Sequence, residues 1–454
     1  MIDNITRGFL SEIGEVARLD IPNEVAGRAK ESLLDYIGVT YAGVQYLGHG
    51  FEALLTSAED ESGLGFVLGR KEGVPLKDAV FLNGLAAHAL DCDDGVNAGI
   101  IHLGSPIYSL LLPLAVKHEA GGEEFLRAAV VGYEAAWTLA MSIQPKHKLL
   151  GYHATGTCGM LGAIVAGSYL LGYTKEERFR AFSVGCVSAG GTLKVLEDGS
   201  QLKPYNVAKA ALLALVSLQM GKAGFDVPDD ALSGERGFLT LMTGSDDVEL
   251  QSPLRDGRHA IMRTYTKPYA ACRYCHPSIE AAIALGEAAG HDPRSVDRIE
   301  VATYELAVDK HDHRDVRGEP SSAKMSIPYG VAVGFLRGRA GLREYLPEEV
   351  RSAEVVSLCE KVSVRSDDRF TAAFPNETTA LVTVHEKGGR IRERRVDHPL
   401  GEPENPLGRE GVCVKFREMM AYAGRPAGFC EEVIGCVFSI KENMGRLVDL
   451  LGEA

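Results

Sequence analysis

Five stretches of the 454-residue chain share one grammar: "DAVFLNGLAAHAL", "SPIYSLLLPLAVKHEAGG", "EEFLRAAVVGYEAAWTLAMS", "GTCGMLGAIVAGSYLLG" and "NVAKAALLALVSLQMGKAG". Each is rich in Ala and Leu and all but the first close on Gly or Ser, which predicts helices packed against one another. In the fourth, Gly156, Gly159, Gly162, Ala166 and Gly167 recur at three- to five-residue steps, and side chains that small let helices approach closely. It is not a dinucleotide fingerprint, because the G-x-G turn and a preceding strand are both missing. A sixth stretch, "IPNEVAGRAKESLLDYIGVTYAG", places Val25, Leu33, Leu34, Ile37 and Tyr41 near helical spacing, with Asn23 as the expected cap and Gly43 as the expected stop. Helix after helix is therefore expected over most of the first 265 residues.

The texture changes near Lys267. "VDRIEVATYEL" alternates like a strand, and "TTALVTVHEKGGRIRERRVD" reads as a hairpin turning at Gly388-Gly389. Between them "IPYGVAVGFLRG" and "YLPEEVRSAEVVSLCEK" read as helix. After the Pro/Gly-rich "HPLGEPENPLG", helix returns in "REGVCVKFREMMAY" and "EEVIGCVFSIKENMGRLVDLLG". A chain of this length exceeds one ordinary core, so two domains are expected. The fold class is mainly α: a large all-helical domain over 1–266, completed by 400–454, with an inserted smaller α+β lid domain over 267–399.

The formal net charge of -14, with no Lys/Arg-rich run to offset it, argues against a nucleic-acid partner. A small anionic substrate stays open if cations gather in one cleft. The longest apolar run, "PIYSLLLPLAV", is far short of the roughly 20 residues of a spanning helix, and "MIDNITRGFLSEIGEV" lacks the apolar core of a signal peptide. No membrane partner is expected, and a cytoplasmic location is. The nine cysteines are scattered; only Cys272 and Cys275 form C-x-x-C, with no second pair to complete a zinc site, so part-buried thiols are expected.

Chemistry concentrates in a few loops. In "AHALDCDDGVNAGIIHLGSP", Asp91, Asp93 and Asp94 follow a helix end, and His102 lies beyond a loop holding Asn97. Those carboxylates fit a solvated helix end, a magnesium site or an acid/base site. Magnesium wants a second acidic cluster, for which "EDG" at 197–199 is a poor candidate. In "LLGYHATGTCG", His153 and Thr155 sit in a turn before a helix, where backbone N–H groups and the helix dipole favour an anion. Lys203 precedes another helix. "TKPYAACRYCHPSIEAA" packs Lys267, Arg273 and His276 together, and "AKMSIPYGVAVG" holds Lys324 and Tyr329. Any one of these cations could merely snorkel at the surface; their shared placement at helix starts is what raises them together.

The order of motifs resembles the MmgE/PrpD family, which includes 2-methylcitrate dehydratase, cis-aconitate decarboxylase and iminodisuccinate epimerase. "SLLDYIGVTYAG", "FLNGLAAHALDCDD" with "HLGSP", "GYHATGTCGMLGA", "LKPYNVAKAALLA" with "GFDVPDDALSGERGF", "KPYAACRYCHPSIEA", "MSIPYGVAVGFLRG" and "HPLGEPENPLG" carry it nearly end to end. The resemblance implies a helical domain with an α+β lid, a homodimer, a site between the domains, and neither cofactor nor metal. It implies Asp91, His102, His153, Lys203, His276 and Tyr329 as catalytic residues, and Lys267 in the same junction motif. Arg273, Asn97 and Thr155 join Lys267 as expected substrate-binding residues. The chain departs from the family where Gly95 replaces a usual Thr, Leu103 a usual Pro, Val96 a common His, Asn206 a frequent His and Ala208 a frequent Gly.

The chemistry shared by that family is proton transfer at a carbon next to a carboxylate, which needs charge stabilisation and a base. Lys203, Lys267 and Arg273 fit the first task. His102 or His153 fits the second, with the other histidine, His276 or Tyr329 as acid, and Asp91 orienting a histidine or joining the relay. Dehydration of a small di- or tricarboxylate is the first expectation; epimerisation and decarboxylation are the alternatives. Magnesium enzyme, iron–sulfur hydratase using Cys272, Cys275 and Cys158, and non-catalytic scaffold are the rivals from other classes.

Overall fold

Ala- and Leu-rich segments bury their apolar stripes against each other, and the computed structural model shows where those stripes meet. It describes residues 4–59, 65–70, 73–309 and 311–452. The protein is mainly α, and it divides into two compact units. The first takes in residues up to 197, 201–265 and the segment from 408 on; the second takes in 198–200 and 266–407.

In the first unit the expected helices run Leu76–His88, Gly104–Lys117, Gly122–Ile143, Ala154–Leu170 and Lys203–Ala223. Ala154–Leu170 packs against Gly104–Lys117, Gly122–Ile143 and Lys203–Ala223, so it lies at the centre of this unit. Its residues from Ala154 to Ser168 are all buried, which is why its sequence shows no polar face. Helices over Gly408–Tyr422, Ala427–Phe438 and Ile440–Gly452 complete the unit from the C-terminal side, the last two dividing at Ser439 a segment that reads as one.

Three local expectations are corrected here. Gly43 does not stop its helix, which runs from Asn23 to Leu47 with Pro22, not Asn23, at the cap position. A Cβ on Gly43 would lie 1.9 Å from the carbonyl oxygen of Ala86, so this glycine is where two helices touch. The unit is also not all-helical, since Gly65–Phe66 pairs antiparallel with Gly73–Val74.

The second unit holds a four-stranded sheet in the spatial order 362–366, 296–303, 380–386, 391–396. The first pair is parallel and the other two are antiparallel, with Val382 opposite Val301 and Arg394 opposite Val382. The hairpin and the strand Val296–Thr303 match the alternation in the sequence; Val362–Ser366 was not anticipated, because only Val362 along it is buried and "VSVRS" shows a weak pattern. Helices His276–Ala288 and Ile327–Arg337 pack on one another and against the sheet. The expected helix "YLPEEVRSAEVVSLCEK" starts at Pro347, which can only start a helix, and divides into Pro347–Val350 and Ala353–Cys359.

Candidate active site

The helix Leu76–His88 ends where the three aspartates begin, and Asp91 adopts φ 54, a left-handed conformation that Asp tolerates better than most residues. Ile100 has φ 48, which is strained for a β-branched residue. This loop is pinned by the pairing of Val96 with Ile101 and of Gly95 with Tyr265. A Cβ on Gly95 would come within 2.5 Å of the Tyr265 hydroxyl and 2.7 Å of the Ile101 carbonyl, so no threonine fits as the loop stands. Tyr265 fills that space.

Asp91, Asp93 and Asp94 are all buried, at 8%, 3% and 3% exposure, which overturns the solvated-helix-end alternative. Burying three carboxylates is costly unless each is satisfied. Asp94 accepts hydrogen bonds from the Tyr133 hydroxyl at 2.5 Å, Ser32 at 3.1 Å and the Gly104 backbone N–H at 2.9 Å. Burial still pushes its carboxyl above the usual range. Asp93 accepts from Ser105 at 2.6 Å, and both its oxygens lie 2.9 Å from His88 Nδ1. Asp91 Oδ1 takes the Lys203 ammonium at 2.7 Å and lies 3.7 Å from His102 Nε2.

His102 is oriented from two sides. Its backbone N–H donates to the Thr155 hydroxyl at 3.1 Å, and its Nδ1–H donates to the Asp94 carbonyl at 2.8 Å. A carbonyl can only accept, so Nδ1 carries a proton and the neutral ring keeps its lone pair on Nε2, beside Asp91 and Lys203. Thr155, expected to bind substrate, is fully buried and braces His102 through that contact.

His153 precedes the helix Ala154–Leu170 at its cap position, its backbone N–H bonded to the Gly191 carbonyl at 2.9 Å. The Asn206 amide nitrogen is 3.3 Å from His153 Nδ1 and 3.2 Å from the Thr192 carbonyl. Burial, followed by His88, Lys203 and His102, holds the His153 pKa well below the ordinary imidazole value. The His88 ring lies 4.6 Å from that of His102 and 5.8 Å from that of His153.

Five expected residues therefore converge in the first unit: Asp91, His102, His153, Lys203 and Thr155. Asn97, also expected there, is partly buried in the turn that closes on Ile100. The second unit treats its candidates differently. Arg273 is buried on Glu402 at 2.6 Å, and its Nη1 donates to His276 Nδ1 at 2.7 Å. His276 Nε2–H in turn donates to the Ala271 carbonyl at 3.1 Å. Tyr329 is fully buried, with its hydroxyl on the Glu344 carbonyl at 2.6 Å, and burial pushes the phenol up. These contacts engage the guanidinium, both imidazole nitrogens and the phenol within the second unit, as structural groups would be. Lys267 is buried at 1% exposure and Lys324 at 4%.

His88, one of the two histidines that flank the aspartates in the sequence, was not among the expected site residues. Together His88, Asp91, Asp93 and His102 place one donor atom each within 4.8 Å of the others, a grouping more compact than the sequence suggested. A divalent cation would have to displace the Lys203 ammonium from Asp91 and the His88–Asp93 hydrogen bond. The nine cysteines are free thiols, and burial pushes Cys158 up to about 12.

Over residues 12–251 the chain matches the MmgE/PrpD N-terminal domain, and over 269–428 the MmgE/PrpD C-terminal domain. The chain belongs to the MmgE/PrpD family. It is similar to a cis-aconitate decarboxylase-like protein of Aspergillus oryzae, 25% identical with 92% of this chain and 90% of that protein covered. It is also similar to cis-aconitate decarboxylases of Aspergillus terreus, at 23% identity with 92% and 90% covered, and of Mus musculus, at 23% with 99% and 92% covered. Members of the MmgE/PrpD family with these names are enzymes, and the match runs through every segment that builds the Asp91 cluster. Among the described residues, no helix is long and apolar enough to cross a membrane.

Proposed function

We propose that this MmgE/PrpD protein is a lyase that moves a proton at a carbon beside a carboxylate of a small polycarboxylate, with decarboxylation as the first reading. One observation carries the proton transfer: His102 Nε2, left with the lone pair by the Nδ1–H bond to Asp94, lies 3.7 Å from Asp91, which is itself held by Lys203. Such a histidine exchanges a proton with a carbon acid while Asp91 steadies its charged form. Lys203 supplies positive charge where an enolate-like carboxylate would develop it.

The names of the full-length relatives favour loss of a carboxylate. In that reaction the C–C bond to the leaving carboxylate breaks, CO2 departs, and the electron pair stays on a carbon conjugated with a second carboxylate. His102, having taken a proton from solvent on Nε2, then gives it to that carbon. Dehydration, the first expectation from the sequence, is the second reading, because the same histidine in its neutral form serves it. There the C–H proton goes to Nε2, the pair forms the new double bond, and the hydroxyl leaves with that proton as water.

Purified protein incubated with cis-aconitate, citrate and 2-methylcitrate in D2O separates the two by proton NMR. Loss of CO2 with deuterium in the product supports the first reading; a new vinyl signal with all carboxylates retained supports the second. Absence of both, and of any solvent exchange into these acids or aspartate-derived dicarboxylates, rules against the proposal.

A further inference from the structure

We propose that Asn206 is a positioning residue that fixes His153 with its proton on Nε2, making His153 a hydrogen-bond donor to substrate while the neutral His102 keeps its lone pair on Nε2. The inference deepens the reading above and rests on it for the word substrate, but the tautomer stands on geometry alone. The Thr192 carbonyl can only accept, so the Asn206 atom 3.2 Å away is its NH2 group and not its oxygen. The same nitrogen lies 3.3 Å from His153 Nδ1. An amide N–H has nothing to offer a protonated nitrogen, so Nδ1 holds the lone pair and the neutral ring carries its hydrogen on Nε2.

The surroundings hold this arrangement in place. Leu193 N–H bonds the Gly151 carbonyl at 2.7 Å and His153 N–H bonds the Gly191 carbonyl at 2.9 Å, which fixes Thr192 beside Tyr152. Gly191 has φ +136, and a Cβ there would come within 2.9 Å of Asn206 Oδ1, so the glycine leaves room for the amide. The charged and titratable groups that face His153 are His88, Lys203, His102 and Asp91, and the helix Ala154–Leu170 presents its positive end. Apart from Asp91 these disfavour an imidazolium. A neutral imidazole at a helix start does not surrender its proton; it polarises a carboxylate or enolate oxygen with Nε2–H. His102, bonded through Nδ1–H to Asp94, has the opposite tautomer. The two rings thus divide the work: one moves the proton and the other binds the oxygen that gains charge.

The test is tautomer assignment by long-range proton–nitrogen NMR on protein labelled with 15N-histidine, with the His153 signals identified by their loss in His153→Gln. At pH 7 the expected pattern is a protonated Nε2 and an unprotonated Nδ1. In Asn206→Asp, of nearly the same size but with a carboxylate that only accepts, the proton is expected on Nδ1 and the imidazolium to persist to higher pH. Turnover should fall at least tenfold, with a pH profile shifted the same way. A wild-type His153 protonated on Nδ1, or an unchanged pattern in Asn206→Asp, overturns the proposal, and the wild-type spectrum decides even if the variant misfolds. If His102→Gln kept full turnover, the reaction reading would fail while this nitrogen pattern stayed intact.

Discussion

Replacing His102 with glutamine removes the one group whose tautomer and neighbours mark it for proton transfer, while keeping a polar side chain in a site that is 9% exposed. On the structural side the variant loses the 2.8 Å Nδ1–H bond to the Asp94 carbonyl, a net contribution of about 1 kcal/mol. Spread over a unit of this size, that corresponds to a drop of roughly 1–2 °C in melting temperature. On the chemical side a positioned acid or base supplies about 100- to 10,000-fold, which at about 1.4 kcal/mol per decade is roughly 3–5 kcal/mol of barrier. The two costs differ enough to be separated in one preparation. Differential scanning calorimetry reads the first, and initial rates of CO2 release or vinyl product on the identified acid read the second. The expected outcome is a nearly native melt with kcat/KM down by at least 100-fold. A folded variant within tenfold of wild type refutes the assignment of His102.

Removing the other half of the cluster's charge balance should cost stability. Lys203→Met leaves the Asp91 carboxylate without the ammonium now 2.7 Å away, and loss of roughly 3–5 kcal/mol in urea unfolding is expected, part of it recovered by adding Asp91→Asn. A pH effect should come from His147, which is buried with Nδ1–H on the Met242 carbonyl at 3.1 Å and Nε2 accepting from Thr157 at 2.9 Å. Its pKa is lowered from 6.5 to about 4, first by burial. Above pH 6.5 it is neutral folded and unfolded; below that the unfolded chain takes a proton the folded chain refuses. Stability should therefore fall between pH 6.5 and 4 by about 3 kcal/mol from this group, and His147→Gln should flatten that part of the curve. Gly43→Ala drives a methyl to 1.9 Å from the Ala86 oxygen, and a loss of about 1–3 kcal/mol with a lower melting temperature is expected. A variant as stable as wild type would mean the two helices separate freely.

The placement of the candidate residues in the first unit was legible because they sit at the starts and ends of strongly patterned helices. Asp91 follows Leu76–His88, Lys203 opens Lys203–Ala223, and His153 precedes Ala154–Leu170, so their rough positions follow once those helices are placed. His88 was not legible, since its role depends on Asp93 five residues on and on rings reached only through the fold. Asn206 stood out in sequence only as a departure from the family pattern; its amide means something because Thr192 and His153 are both within reach. Arg273 and His276 are a different case. The sequence groups them in one short stretch expected to meet substrate, and in the fold Arg273 pairs with Glu402 and His276 donates to the Ala271 carbonyl.

What the sequence by itself determined was the alternation of Ala- and Leu-rich helices with small-residue contacts, the strand texture after Lys267, and the family, because periodicity and motif order are local properties of a chain. Which nitrogen of each histidine carries the proton was decided only in three dimensions. An imidazole's tautomer is set by whether a carbonyl or an amide faces its Nδ1. For His102 that partner is the Asp94 carbonyl eight residues back, and for His153 it is the Asn206 amide 53 residues on, brought there by helix packing.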